Sequence, residues 1–263
     1  MEKETGIIAF IKAIDKQFFD RFINNGQICM NTAKWFRDYE EKDENIGDSG
    51  EGAVLSCGNG FTISISDPIE NYTSKEERKE KPQWSKPFSG EKLRMFDEQN
   101  ANILSLYAIT LSESNDNEYQ HLIIPKKFID EFSNHRFVLI IEPKIFFTRI
   151  IKALINVGKS MKSCMVTYYP LDSVMRNNLT FFDKQDRYSY QNEYRLVLYD
   201  ESPKQRIINI GSLNDICLEI DLNKHYYSGK HGNANFIIIR ENGSIIEEKS
   251  AADNREPASP VII

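Results

Sequence analysis

Gln191, Glu193 and Arg195 alternate within the stretch RYSYQNEYRLVLYD, Arg187 to Asp200. The stretch reads as a β-strand, so side chains two apart share a face. Gln191, Glu193, Arg195, Val197 and Tyr199 then line one face. Tyr190, Asn192, Tyr194, Leu196 and Leu198 line the other, which is the more apolar and suits a core. The Gln191 amide and Glu193 carboxylate would project in parallel, roughly 6.5–7 Å apart along the strand. Such a carboxylate can stabilise a developing oxocarbenium ion or bind a ribose hydroxyl, and the amide can orient a nucleophile. Glycosidic-bond chemistry needs those two roles. The plainer alternative is a half-exposed strand whose polar face meets water, as is usual in antiparallel sheets.

A second group lies between Gly26 and Gly52. Asn31 and Thr32 sit at the end of an apolar run, and Trp35, Phe36 and Tyr39 follow at helical spacing. Aromatic planes beside Asn and Thr donors can hold a flat heteroaromatic ring such as nicotinamide. Arg37, among them, can reach a phosphate. The alternative makes Trp35 and Phe36 ordinary core anchors. Lys12 is a lone cation on a face shared with Ile8, Phe10 and Ile14. It either snorkels to water from a strand end or lines a cleft where it would meet a pyrophosphate.

Other chemistries lack their residues. Cys29, Cys57, Cys164 and Cys217 are far apart, and His121, His135, His225 and His231 are isolated, so no zinc site is expected. The acidic run Asp38–Glu51 suits calcium in donor type, yet it lacks the twelve-residue calcium-loop pattern, so no metal is expected there. No G-x-S-x-G, no GxGxxG and no GxxxxGK[ST] occurs.

Bulk composition sets the frame. The chain has 263 residues and a formal net charge of -6, which argues against a nucleic-acid binder that relies on a global basic field. Two local basic stretches remain. One is Lys75–Arg94, with Trp84 inside it. The other is the face carrying Lys144, Arg149, Lys152, Lys159 and Lys162. Each reads as a solvated surface or as a nucleic-acid contact. The unpaired thiols suit a reduced, cytoplasmic protein. The N-terminal MEKETGIIAFIKAIDKQFF is interrupted by charges and reads as neither signal peptide nor membrane span.

The elements that must position these groups follow from periodicity. GIIAFIKAI (Gly6–Ile14) predicts a strand, and the segment after it a helix capped by Asp15 and ended by Asn25-Gly26. A strand over QICMNT running into a turn or short helix, and a strand over Phe61–Asp67, come next. Residues 72–94 read as a polar insertion. Asn102–Thr110 and Arg136–Glu142 predict strands, PKKFIDEF a short helix, and Pro143–Ser160 a longer one. MKSCMVTYY, Arg187–Asp200, DICLEIDL and NFIIIRENGSIIEE complete the strands, with Asn242-Gly243 as a hairpin turn. A tail from about residue 251 should fray. No composition shift marks a domain boundary, so residues 1–263 read as one α+β domain with many strands and few helices.

In this order, the segments GIIAFIKAI…FFDRFINNGQICMNTAKWFRDYE…GDSGEG, NILSLYAI and YSYQNEYRLVL resemble the ADP-ribosyltransferase superfamily. The likeness is to its bacterial toxin and phage-defence branch, near the DarT-like nucleic-acid modifiers. The resemblance implies a split, mixed β-sheet core with NAD in its cleft. Its [QE]-x-E motif matches Gln191-Asn192-Glu193. By that match Glu193 would hold the nicotinamide ribose and stabilise the transition state, and Gln191 would position the acceptor. The first strand of the family offers Arg or His to NAD, where this chain offers Lys12. The family's S-T-S motif has Asn31-Thr32 as its nearest counterpart. The resemblance implies an intracellular toxin or anti-phage effector, modifying RNA or DNA and needing an antitoxin protein.

Overall fold

The first strand, β1 (Gly6–Asp15), is buried from Ile8 to Ile11, as its apolar run requires. Asp15 ends it and accepts a hydrogen bond from Gln17 N at 2.9 Å, which caps the 3-10 turn Lys16–Phe18 that leads into α1 (Phe19–Asn25). Gly26 stops α1 at φ +58, and its N–H donates to Arg21 O. A Cβ there would lie 2.1 Å from Gly211 O, so both the turn and the close approach require glycine.

The computed structural model describes residues 6–43, 46–58, 93–96, 101–111, 120–155, 160–172, 175–199, 204–222, 226–231 and 234–240. They pack as two compact units. The first unit draws on Met1–Thr32, Ala101–Met165 and Tyr190–Ile263, and the second on Ala33–Asn100 and Val166–Ser189. The chain thus leaves the first unit twice and returns twice.

The first unit is built on an eight-stranded sheet. Besides β1 it holds β2 (Gln27–Thr32), β5 (Ala101–Leu111), β7 (His135–Ile140), β8 (Met161–Met165), β12 (Glu193–Tyr199), β13 (Arg206–Asn209) and β14 (Cys217–Ile220). One edge of β5 pairs with β12 from Ala101 to Tyr107. Its other edge is shared by two strands: β1 pairs with Tyr107–Leu111, and β2 with Asn102 and Ile103. The sheet is therefore split along that edge. β7 and β14 extend it beyond β1, β13 beyond β2, and β8 beyond β12.

Alternation gives the sheet two apolar faces. Phe10, Leu104, Leu106, Val138, Leu196 and Leu198 join one cluster with Phe19 and Phe22 of α1 and Phe146, Ile150 and Leu154. Those last three come from the amphipathic helix α4 (Pro143–Leu154) at i, i+4 spacing. On the other face Ile11, Tyr107, Ile109, Phe137 and Leu139 pack with Phe128 and Ile129 of α3 (Lys126–Glu131). Ile238 of β16 (Ala234–Arg240) joins them from a three-stranded sheet in which β16 pairs parallel with β6 (Gln120–Ile124) and antiparallel with β15 (Tyr226–His231).

The second unit holds α2 (Ala33–Tyr39) and two small sheets. In one, β3 (Ala53–Cys57) pairs with β4 (Leu93–Phe96) and β10 (Arg176–Asn177). In the other, β9 (Thr167–Tyr169) pairs parallel with β11 (Asp183–Gln185).

The result is a mixed α+β protein with mainly antiparallel pairing and few helices. Several boundaries depart from the periodicity. MKSCMVTYY is two strands, β8 and β9, in different units, because Val166 takes neither ladder. Leu93 and Arg94 belong to β4 rather than to a polar insertion. The expected strand Phe61–Asp67, the rest of the insertion, the Asn242-Gly243 turn and the tail lie outside the described residues. No helix among the described residues is long and apolar enough to cross a membrane.

Candidate functional site

The stretch carrying Gln191 and Glu193 is not one strand. Asp186–Gln191 forms a 3-10 helix, Asn192 takes φ +35, and β12 begins only at Glu193. Gln191 therefore does not share a strand face with Glu193, and the parallel projection of the two side chains is not realised. Asn192 is the cause. It tolerates the left-handed region, its carbonyl accepts from Ala108 N at 2.9 Å, and its Nδ2 donates to Ala108 O at 2.8 Å. This double clasp fixes where β12 starts against β5. Gln191 is buried and its Nε2 donates to Tyr190 Oη at 3.2 Å. The Lys127 ammonium lies 4.1 Å from the centre of the Tyr190 ring.

Glu193 and Arg195 keep the shared face that alternation predicts, but that face does not meet water. Glu193 is 4% exposed and Arg195 1%. Arg195 Nε donates to Glu193 Oε1 at 2.8 Å, and its Nη2 to Oε2 at 3.3 Å. The reading of a solvated polar face is thus overturned: burial at this depth requires the two charges to answer each other. Across the strands Glu193 faces Tyr107 and Arg195 faces Ser105. Burial pushes the Tyr107 phenol up to about 12.

Lys12 stands where the sheet splits. Its Nζ donates to Ser105 O at 2.9 Å. Ser105 lies between the stretch of β5 held by β1 and the stretch held by β2, so a side chain takes up a carbonyl that neither strand pairs. The expectation that Lys12 snorkels to water is therefore corrected: it turns into the split. Burial lowers the Lys12 pKa, while Glu193 and then Cys29 pull it back up. The Cys29 thiol is in turn raised by burial and lowered by Lys12. Asn31, two residues on, accepts from Gln205 Nε2 at 2.9 Å and from Cys29 Sγ at 3.6 Å. Thr32 ends β2 opposite Asn102. Asn102 is fully buried, and its Nδ2 donates to Met30 O at 3.0 Å and Lys204 O at 2.7 Å. Lys12, Glu193, Cys29 and Asn31 thus all lie in the first unit, with the Lys12 charge felt by Glu193 and Cys29.

Trp35, Phe36 and Arg37 belong to the second unit. Trp35 stacks on Tyr39 with centroids 4.4 Å apart, and its edge meets Phe36 at 5.1 Å. Both rings stay partly exposed, so neither is a core anchor. Arg37 Nη1 donates to Glu51 O at 2.7 Å, and its guanidinium lies 4.5 Å from the Phe96 ring centre.

Among the described residues no group of three or more His, Cys, Asp or Glu side chains is placed to hold a metal ion. Sequence reasoning missed Ser105, Tyr107 and the Asn192 clasp. Only the Asn at the start of an apolar run hinted at the last of these. Comparison with family models, with curated proteins and with solved structures finds no match to this chain.

Proposed function

We propose that this chain is an NAD-dependent mono-ADP-ribosyltransferase acting as an intracellular toxin or anti-phage effector. The observation that carries the reading is the split sheet with a buried acid on the strand across β5 from the split. β1 and β2 part along one edge of β5, Lys12 reaches into the gap, and Glu193 starts the strand on the opposite edge of β5. In this reading Glu193 accepts hydrogen bonds from the ribose beside nicotinamide and opposes the positive charge that develops as the C1'–N bond breaks. Nicotinamide leaves with the bonding electrons. The acceptor attacks C1' and gives up its proton. Lys12 supplies positive charge for the diphosphate, and Asn31 and Thr32 supply polar groups on β2. Gln191 orients the acceptor. The acceptor is a nucleic acid, RNA or DNA, with a protein side chain or water as the alternatives. An antitoxin protein would restrain such an activity.

One observation favours a second reading, a non-catalytic nucleotide- or partner-binding module. Arg195 already occupies the Glu193 carboxylate, and both are buried. The two readings separate on labelled NAD incubated with the protein plus RNA, DNA or cell lysate. The transferase reading expects label on one acceptor class in the wild type and none with Glu193→Gln. Free ADP-ribose alone would mean a glycohydrolase. Labelling that persists in the variant would remove Glu193 from the mechanism, and NAD binding without any turnover would favour the module.

A further inference from the structure

We propose that the outer face of α4 is a docking surface for an acidic, amphipathic helix of a partner protein. The first observation is charge. From Pro143 to Ser160 the sequence holds no Asp or Glu, yet it carries Lys144, Arg149, Lys152 and Lys159, in a chain whose net charge is -6. The other helices answer their lysines one turn on. Lys34 pairs with Asp38 in α2, and Lys126 and Lys127 pair with Asp130 and Glu131 in α3. In α4 the residue one turn from both Lys144 and Lys152 is Thr148, whose hydroxyl donates to Lys144 O at 2.7 Å. Arg149 is held by Asp215 and by Ser212 O. Lys144 and Lys152 are exposed, and neither has an ion-pair partner among the described residues.

The second observation is apolar. Ile145, Ile151 and Ile155 are 42%, 47% and 71% exposed, three of the ten large apolar side chains left exposed among the described residues. Lys144, Thr148, Ile151, Lys152 and Ile155 fall at i, i+4, i+7, i+8 and i+11, a single stripe opposite the buried Phe146, Ile150 and Leu154. Isolated exposed isoleucines are ordinary, but three along one short helix make a patch. Arg149, one turn from Ile145, borders an open cavity of about 440 Å³ with Ile210 and Gly211, which gives an anchoring side chain a seat. The mixture of charge and apolar surface selects the occupant. A nucleic-acid backbone answers the lysines but gains nothing from the isoleucines. On a lipid surface the lysines, which share the stripe rather than flank it, would be drawn down with the isoleucines. A second copy docked through the same face would set lysine against lysine. A helix with Asp or Glu beside its apolar stripe answers both features. The inference does not rest on the transferase reading, since none of the residues assigned there lies on α4.

The test uses the full chain and the fluorescence anisotropy of a labelled synthetic helix with leucines along one stripe and glutamates flanking it. The control is an isomer of the same composition whose leucines are spread around the helix. The proposal expects saturable binding of the first peptide, at least about tenfold tighter than the isomer and weakened by salt. Ile151→Gln with Ile155→Gln, and Lys144→Gln with Lys152→Gln, should each weaken it at least about tenfold. All four side chains are exposed, so both variants should keep the wild-type thermal midpoint, which separates lost binding from lost folding. Lys144→Glu with Lys152→Glu should release the glutamate peptide and bind its lysine counterpart. Equal binding of the isomer, binding unchanged in the Gln variants, or no binding of the peptide overturns the proposal. An RNA or DNA oligonucleotide, or phosphatidylserine vesicles, bound through these residues in place of the peptide would overturn it as well and name the other occupant.

Discussion

Glu193 and Arg195 show how little a residue's type reveals about its cost until its burial is known. Both charges lie in the sheet with water excluded, so each depends on the other. Arg195→Met should therefore destabilise the protein by about 3–5 kcal/mol, through the unanswered carboxylate it leaves behind. The double variant Glu193→Leu with Arg195→Met should recover most of that loss, read as the denaturant midpoint. In the transferase reading Glu193→Gln should lower turnover by roughly 10²–10³-fold, the usual cost of losing one group that faces developing charge. Lys12 gives a pH signature. Burial lowers its pKa below the ordinary lysine value, so the unfolded chain holds its proton to higher pH than the folded one. Stability contributed by this group thus rises with pH between the lowered folded value and the ordinary one. Equilibrium unfolding from pH 7 to 10 should show that rise in the wild type and a flatter profile in Lys12→Met.

At the scale of elements, two residues with positive φ decide where regular structure begins and ends. Asn192 sets the first residue of β12 by its clasp on Ala108 and its left-handed backbone. Asn192→Ala should cost about 1–2 kcal/mol, since it loses a hydrogen bond and forces a β-carbon into that region. Asn192→Gly keeps the backbone freedom and should cost less, a contrast visible in chemical denaturation. Gly26 ends α1 the same way, and Gly26→Ala should cost more than about 1 kcal/mol because its Cβ has no space beside Gly211 O. The helix end at Gly26 was legible in the sequence, since Asn-Gly after an amphipathic run is a local signal. The start of β12 was not. RYSYQNEYRLVL alternates without a break, and only the partner strand β5 reveals that the alternation before Glu193 belongs to a 3-10 helix.

At the scale of the whole molecule, the chain divides its chemistry between two units. Its four thiols report on them independently. Cys29 and Cys164 are exposed, while Cys57 and Cys217 are buried, with burial pushing Cys217 up to about 12. A maleimide reagent should modify two thiols in the native protein and all four after denaturation, counted by intact mass. Four native modifications would mean that both units open readily. The expected site residues divide as well: Lys12, Asn31, Thr32, Gln191 and Glu193 lie in the first unit, and Trp35, Phe36 and Arg37 in the second.

The sequence by itself determined the mixed α+β class, most of the strands, the caps of the first helix, and the placement of Glu193 and Arg195 on one face. These are local consequences of periodicity and turn chemistry, which neighbouring residues carry among themselves. Only the tertiary structure decided that the sheet splits along β5, that Lys12 turns into that split, and that the polar face of β12 is buried. Each depends on strands that meet across long stretches of chain. Spacing along a sequence sets which side chains share a face, but not what lies opposite that face.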